Sequence, residues 1–445
     1  MQYAPPAALQ APELDHEARI FRKLNLRITP FLFVCYVVAY LDRINIGFVK
    51  LQMQDSLHLS EAVYGLGAGI FFIGYVLFEV PSNLVLKRVG ARRTLFRIMV
   101  LWGIAGCCMA LVKTPMQFYI CRFLLGVFEA GFVPGAIYYI NRWYPSSRRG
   151  AALGVFLSGI PIAGMVGGPL SGLTMTYLDG LLGWAGWQWT FVAQALPAIV
   201  LGIAAFFLLD DEIRDARWLS AAERDVLQSL MAKEEAANTA HGAGAVELRD
   251  IRVYLMAIAY MAFICGTYTL SFWLPTLLKN AGATTAMQVG LYSAIPFGLG
   301  AIGMVLLCRR SDRMMERRWH TAMAAVAGAI ALALIPFAPN TLVFSCLLLT
   351  VGTTTIYGTV PLFWAMPTDY LAGLPSAAGT LAFINSIGLI GGFVSPIALG
   401  AIKDATGSLN GGLYATSALL VLGAVLLVAS VSEQHLRRRT SARST

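Results

Sequence analysis

Charge is scarce in this chain: only 13% of its 445 residues are Asp, Glu, Lys or Arg, while 57% are hydrophobic. A soluble domain carries about 25% charged residues, so the composition excludes an ordinary water-soluble enzyme or binding module and points to a bilayer as the solvent. Histidine is scarcer still, with five residues that all read as lying outside the apolar spans. Their absence from the spans removes a histidine proton relay and an intramembrane metal site. The seven cysteines (Cys35, Cys107, Cys108, Cys121, Cys265, Cys308, Cys346) sit in or at the ends of apolar runs without metal-ligand spacing, and read as small core residues. No metal and no organic cofactor is expected. Residues 1–18 lack the charged-then-apolar order of a signal peptide, so the first membrane helix is expected to target the chain, with nothing cleaved.

What is present is apolar length. Runs of about 20 residues, enough to cross about 30 Å of hydrocarbon as a helix, recur along nearly the whole chain. They predict spans near 28–50, 62–86, 94–112, 115–141, 150–177 and 188–209, then, after a polar stretch, near 253–278, 287–308, 320–338, 341–366, 375–402 and 411–431. Barrel strands would alternate in segments of about ten residues, whereas these runs are continuous and rich in Leu, Ala, Gly and Ile. The expected architecture is an all-α membrane protein of twelve helices in two six-helix bundles: a tail over 1–27, a bundle over 28–209, a linker over 210–252, a second bundle over 253–431 and a basic tail over 432–445. Within the linker Ser220 and Glu223 have capping-box spacing and predict a short surface helix through Met231.

Most of the 33 lysines and arginines fall in the N-terminal tail, the even-numbered loops, the linker and the C-terminal tail. The opposite loops hold Lys50, Lys113, Lys279 and Lys403. Positive residues stay on the cytoplasmic side, so both termini are expected there. The net charge of +9 then belongs to the inner face of a bacterial inner membrane and not to nucleic acid.

Charge within a bilayer costs a few kcal/mol per residue on insertion scales, so each ionisable group inside a span is a functional candidate. Five qualify, all in the first half: Asp42, Arg43, Glu79, Arg122 and Glu129. Helical rise puts Asp42 and Arg43 about 21 Å along helix 1, with Arg122 about 10 Å and Glu129 about 21 Å along helix 4. Arg122 and Glu129 are two turns apart and share a helix face. A buried arginine whose planar fork faces a cavity suits a carboxylate, and buried carboxylates can take up and release protons. The alternative is an ion-pair network of Asp42 or Glu129 with Arg122 that only holds helices together. Glu79, near the end of helix 2 and two residues before Pro81, reads as a structural partner of the adjacent basic loop. The neutral half must supply the other wall, with Tyr268, Ser271 and Trp273 in helix 7, Tyr357 and Trp364 in helix 10, and Asn385 and Ser386 in helix 11 as candidates. Tyr40 and Tyr75 add phenolic donors from helices 1 and 2.

These residues carry a resemblance. The twelve-helix plan is similar to the major facilitator superfamily, and the runs Ala39–Phe48, Gly74–Asn83, Arg122–Gly131 and Arg142–Pro145 resemble its anion:cation symporter family; residues 63–72 and 79–93 look most like a tartrate-transporter branch. The resemblance implies the major facilitator fold and proton-coupled uptake of a small organic anion by a monomer, with protons as the coupling ion. It places Arg43 on the substrate carboxylate, Asp42 and Glu129 in proton coupling with Arg122 as partner, and Tyr40, Tyr75 and Asn385 at the substrate. Arg88, Gly90 and Arg92 match the superfamily's loop motif, but Lys87 stands where an acid is usual; Asp312 and Arg313 echo the motif in the second half. Two other readings are an exchanger or exporter, from Gly164–Pro169 in helix 5, which resembles an antiporter motif, and a non-transporting solute sensor.

Overall fold

The structure is a computed structural model that describes residues 11–238, 249–337, 341–371, 374 and 376–430. The basic tail over 432–445 and residues 239–248 of the linker lie outside the described residues. Among the described residues twelve helices are long and apolar enough to span a membrane: α1 (Glu17–Leu57), α2 (Glu61–Val89), α3 (Ala91–Leu111), α4 (Pro115–Trp143), α5 (Ser146–Tyr177), α6 (Gly186–Leu208), α7 (Ile251–Asn280), α8 (Ala286–Met314), α9 (Arg318–Phe337), α10 (Leu342–Tyr370), α11 (Gly379–Thr406) and α12 (Asn410–Ser430). An even number of crossings returns the chain to the face from which it started, here called the near face; the opposite one is the far face.

These helices sort their side chains by size. In α6 the large residues Leu196, Val200, Ile203 and Phe207 are exposed, while Ala195, Ala198, Gly202 and Ala205 are buried. Lipid is as apolar as leucine, so association favours small residues that let backbones approach. Gly202 shows this, since a Cβ there would lie 2.9 Å from the Met99 side chain of α3. Far-face helix starts are capped by side chains: Ser60 accepts the Val63 amide, Thr114 that of Gln117 and Thr285 that of Gln288.

Helix α1 begins earlier than its apolar run. Ala11–Arg27 is already helical, with Ile20, Phe21 and Leu24 buried, so the expected tail is largely an amphipathic helix. Lys23 in this segment binds Glu223 at 2.7 Å. Ser220 and Glu223 exchange both capping bonds, and the linker helix they open runs from Ala221 to Asn238, beyond Met231. The Lys23 ammonium and the Ser220 amide hold the Glu223 carboxyl below its ordinary range, so this tie is intact at neutral pH and is lost only as acid protonates Glu223.

Within the first six spans α1 packs on α5, α2 on α4 and α3 on α6; within the last six α7 packs on α11 and α12, α8 on α10 and α9 on α12. The bundles meet through α2 against α11 and α5 against α8. A Cβ on Gly69 would sit 2.7 Å from the Phe393 carbonyl, and one on Gly172 3.0 Å from the Ala286 carbonyl. These contacts, with Gly47 of α1 against Ser271 of α7, all lie between mid-membrane and the far face. The bundles are thus sealed together on the far side.

Candidate functional site

Asp42 and Arg43 are neighbours on an unbroken stretch of α1, so their side chains leave the helix about 100° apart and enter different surroundings. Asp42, 2% exposed, turns toward α3, where its Oδ2 accepts the Trp102 indole N–H at 2.9 Å. Arg43, 8% exposed, reaches between the bundles. Its Nη2 forms an ion pair with Glu129 Oε1 of α4, and its Nη1 donates to the Tyr268 hydroxyl of α7 at 3.3 Å. The guanidinium also lies 5.2 Å from the Tyr75 ring, 5.3 Å from Phe71 and 6.0 Å from Tyr40. One cation therefore joins a carboxylate of the first half to a phenol of the second.

The position of Glu129 follows from a break in α4. The helix stops at Glu129, Gly131 adopts φ +91°, and a second segment starts at Phe132. A carboxylate at the C-terminal end of a helical segment sits at the negative end of the dipole, an unfavourable place that Arg43 offsets. Gly74 and Gly126 bring α2 and α4 so close that a Cβ on either would overlap the other backbone. This contact sets Phe71 and Tyr75 beside the charged residues of α4.

Arg122 is fully buried but does not bond to Asp42 or Glu129. Its Nε donates to the Gly67 carbonyl at 3.2 Å and its Nη2 to that of Ala68 at 3.4 Å, and it lies 5.1 Å from the Phe71 ring. The expected ion pair of Arg122 with either acid is replaced by backbone acceptors on α2. The two guanidiniums do approach one another's surroundings, since both rest on Phe71. Each of the four buried charges keeps one atom without a hydrogen-bond partner among the described residues: Asp42 Oδ1, Arg43 Nε, Arg122 Nη1 and Glu129 Oε2. Leaving such atoms unmatched costs about 1–3 kcal/mol apiece.

The second bundle contributes hydroxyls. Ser271 and Tyr357 share a hydrogen bond of 2.6 Å, with Tyr40 of the first bundle beside them. Asn385 is half-buried and forms no hydrogen bond among the described residues. Trp364 packs edge-on against Tyr260, 5.1 Å between centroids, and no described bond links it to Arg43. Glu79 is half-buried one turn nearer the near face than Tyr75, and it forms no ion pair with the basic loop among the described residues.

The near-face motif has a partner that the sequence reading missed. The Arg92 amide donates to Asp211 Oδ1 at 2.9 Å, its guanidinium binds the Phe206 carbonyl, and Gly90 at φ +91° lies against the same carboxylate. Asp211, at the end of α6, thus meets the loop in which Lys87 replaces the usual acid; the acidic run Asp210–Glu212 was the available signal. In the second half Asp312 and Asp369 share Arg317, at 3.3 and 3.8 Å, while neither Arg88 nor Arg313 forms a bond among the described residues. His320, read as outside the spans, sits in the first turn of α9 with its ring 2.7 Å from Glu316.

Lys50 was read as a loop cation and is instead fully buried on α1 near the far face. Its ammonium pairs with Glu61 of α2 at 2.7 Å, lies 3.3 Å from Thr276 Oγ1 and sits 3.6 Å from the Trp273 ring centroid of α7. Glu61 also pairs with Lys403 of α11, and Asp404 accepts the Glu61 and Ala62 amides at 3.0 and 2.7 Å. Every one of the contacts from α7 and α11 crosses between bundles, so this cluster closes the far side above Arg43. The helix-5 run Gly164–Pro169 is used in the same seam, with Gly164 against Phe297 and Gly168 against Ser293 and Gly290 of α8.

Two six-helix bundles enclosing a charged centre and packed together on one face have the architecture of a membrane transporter. The chain belongs to the Major Facilitator Superfamily, whose family model matches residues 32–396. It is 45% identical to an Agrobacterium vitis protein that carries the name of a tartrate transporter, over 96% of this chain and 95% of that one. It is 40% identical to an Acinetobacter baumannii protein named a quinolone resistance transporter, over 93% and 95% of the two chains. The inward-open xylose transporter XylE of E. coli superposes with a TM-score of 0.73 at 15% identity, covering 95% of this chain and 99% of that one; such a likeness speaks to the fold alone. The chain is therefore a multi-pass membrane transporter and not an enzyme.

Proposed function

We propose that this protein takes up a small organic anion together with protons across the bacterial inner membrane, the anion being a hydroxy-dicarboxylate such as tartrate, or a sugar acid. The observation that carries the reading is the Arg43–Glu129 ion pair, completed by Tyr268 from the other bundle. A substrate carboxylate and the Glu129 carboxylate compete for one guanidinium. Protonation of Glu129 removes its charge and frees the arginine fork, so anion and proton bind together; loss of the proton returns Arg43 to Glu129 and expels the anion. Asp42, held by Trp102 and not by an arginine, is the second proton site, and Arg122 supplies positive potential from α4, where it is held by backbone carbonyls of α2. Tyr40, Tyr75, Ser271, Tyr357 and Asn385 present hydroxyl and amide groups suited to a polyhydroxylated anion. The excess of lysine and arginine on the near face supports a cytoplasmic near face in this reading.

Export or exchange on the same fold is the competing reading, and the relative named for quinolone resistance is what favours it. Proteoliposomes separate the two: an imposed inward proton gradient should drive uptake with no internal solute, and a strict need for internal counter-substrate would contradict symport. A thermal-shift screen of tartrate, other hydroxy-diacids, sugar acids and aromatic acids identifies the anion. Arg43→Ala should abolish the shift, while Glu129→Gln should keep binding and lose proton-driven accumulation.

A further inference from the structure

Glu79 of α2 takes no part in the exchange between Arg43 and Glu129, yet helix register fixes where it faces. Phe72, seven residues earlier, lies against α11, where a Cβ on Gly392 would be 2.7 Å from its ring, and against the Tyr268 ring of α7 at 4.5 Å. The Tyr75 ring, four residues earlier, is 5.2 Å from the Arg43 guanidinium. Residues four and seven apart share a helix face, so Glu79 continues this inter-bundle stripe toward the near face. Helices α2 and α7 run in opposite directions, and a step of about two turns along each from the Phe72 and Tyr268 rings brings Glu79 opposite Tyr260. Glu79 interacts electrostatically with both Arg43 and Tyr260, in keeping with that register.

Space and charge around Arg43 are both one-sided. On its far side the bundles are packed together, with Gly47 against Ser271 and Glu61 between Lys50 and Lys403. A solute held by the guanidinium therefore extends toward the near face, past Tyr75. Four residues of helical rise put Glu79 about 6 Å beyond Tyr75. The end carbons of an extended four-carbon acid are about 4 Å apart, so the second carboxylate of a diacid comes into the neighbourhood of Glu79. No described cation is placed to receive it. Arg122 is fully buried and bonded to the α2 carbonyls, and the described lysines and arginines of the last six spans all lie within two turns of a helix end. What the second bundle offers instead is the hydroxyls of Tyr268, Ser271 and Tyr357.

We propose that Glu79 limits the transported anion to one carboxylate by repelling a second, so that the substrate is a polyhydroxylated monoacid and not a diacid. The inference rests on Arg43 as the carboxylate ligand, and it selects the sugar acid over the hydroxy-dicarboxylate. Two carboxylates about 5 Å apart in a partly hydrated cavity repel strongly enough to weaken binding about tenfold or more. A terminal hydroxyl in the same place donates a hydrogen bond to Glu79 instead.

Matched pairs of acids test the assignment on the full-length protein in nanodiscs: threonate with tartrate of matched configuration, and gluconate with glucarate. Each pair differs only in a terminal hydroxymethyl or carboxylate group. Calorimetric titration of the wild type at neutral pH should show the monoacid of a pair binding at least about tenfold more tightly than its diacid. Glu79→Gln should remove most of that difference by strengthening the binding of the diacid. A merely structural role for Glu79 would weaken the monoacid instead, and that result overturns the proposal. So does a wild type that binds the diacid as tightly as the monoacid, or a difference that survives in Glu79→Gln. If Arg43→Ala abolishes binding in those cases, the anion site at Arg43 stands and the limit set by Glu79 falls; binding of none of the four acids overturns both. Should Glu79→Gln fail to fold, Glu79→Ser is read by the same criteria.

Discussion

At the scale of single residues, the buried charges Asp42, Arg43, Arg122 and Glu129 are each held by groups from other helices, and the adjacent residues Asp42 and Arg43 serve different partners. Asp42 depends on Trp102, a donor on a helix that carries no charge inside the membrane. Trp102→Phe should lower stability by about 1.5–3 kcal/mol, the usual worth of a hydrogen bond to a charged group. The loss should be much smaller in an Asp42→Asn background, and thermal unfolding of the four proteins in a double-mutant cycle reads the coupling directly. Equal losses in both backgrounds would mean that Trp102 acts by packing alone. The five intramembrane charges were legible from sequence because charge in an apolar run is conspicuous. Of their partners, Tyr268 was among the candidates for the opposite wall, whereas Trp102, Gly67 and Ala68 are ordinary membrane residues until the helices are brought together. The burial of Lys50 is hidden for a related reason: it lies at the end of its apolar run, where cover comes from α2 and from α7 of the other bundle.

At the scale of elements, the spans were readable because apolar length alone defines them, whereas departures from a uniform helix were not. The break after Glu129 falls in an unremarkable Ala-Gly pair, and the helix over Ala11–Arg27 is amphipathic and too polar to register as a span. The far side is held by a charged cluster between bundles in which Glu61 bridges Lys50 and Lys403. Glu61→Gln leaves two ammonium groups facing one another across the bundles and should open the far face. With spin labels at Ser56→Cys and Ala405→Cys in a background lacking native cysteines, the variant should gain a longer-distance population. Each 1.4 kcal/mol lost from the seal shifts the balance of states about tenfold. Identical distance distributions in the two proteins would remove the cluster from the gate.

For the whole molecule, the charge asymmetry between halves underlies the proposed mechanism: the first bundle carries the charged residues of the centre and the second adds the hydroxyls of Tyr268, Ser271 and Tyr357. That division was visible in the sequence, and so was the bias of lysine and arginine toward one face. A fluorescent protein fused at the C-terminus should fluoresce, and alkaline phosphatase there should be inactive while the same enzyme inserted between α7 and α8 is active; the reverse pattern would invert the orientation. The Arg43–Glu129 ion pair, on which the proposed competition with substrate rests, became visible only in three dimensions. The most direct test measures protons taken up per anion bound, by calorimetry in buffers of different ionisation enthalpy, with the acid that stabilises the wild-type protein in the thermal-shift screen. Wild type should take up protons as it binds and bind more weakly as pH rises, and Glu129→Gln should take up fewer and flatten that dependence. The same proton uptake and the same pH dependence in both proteins would contradict the account.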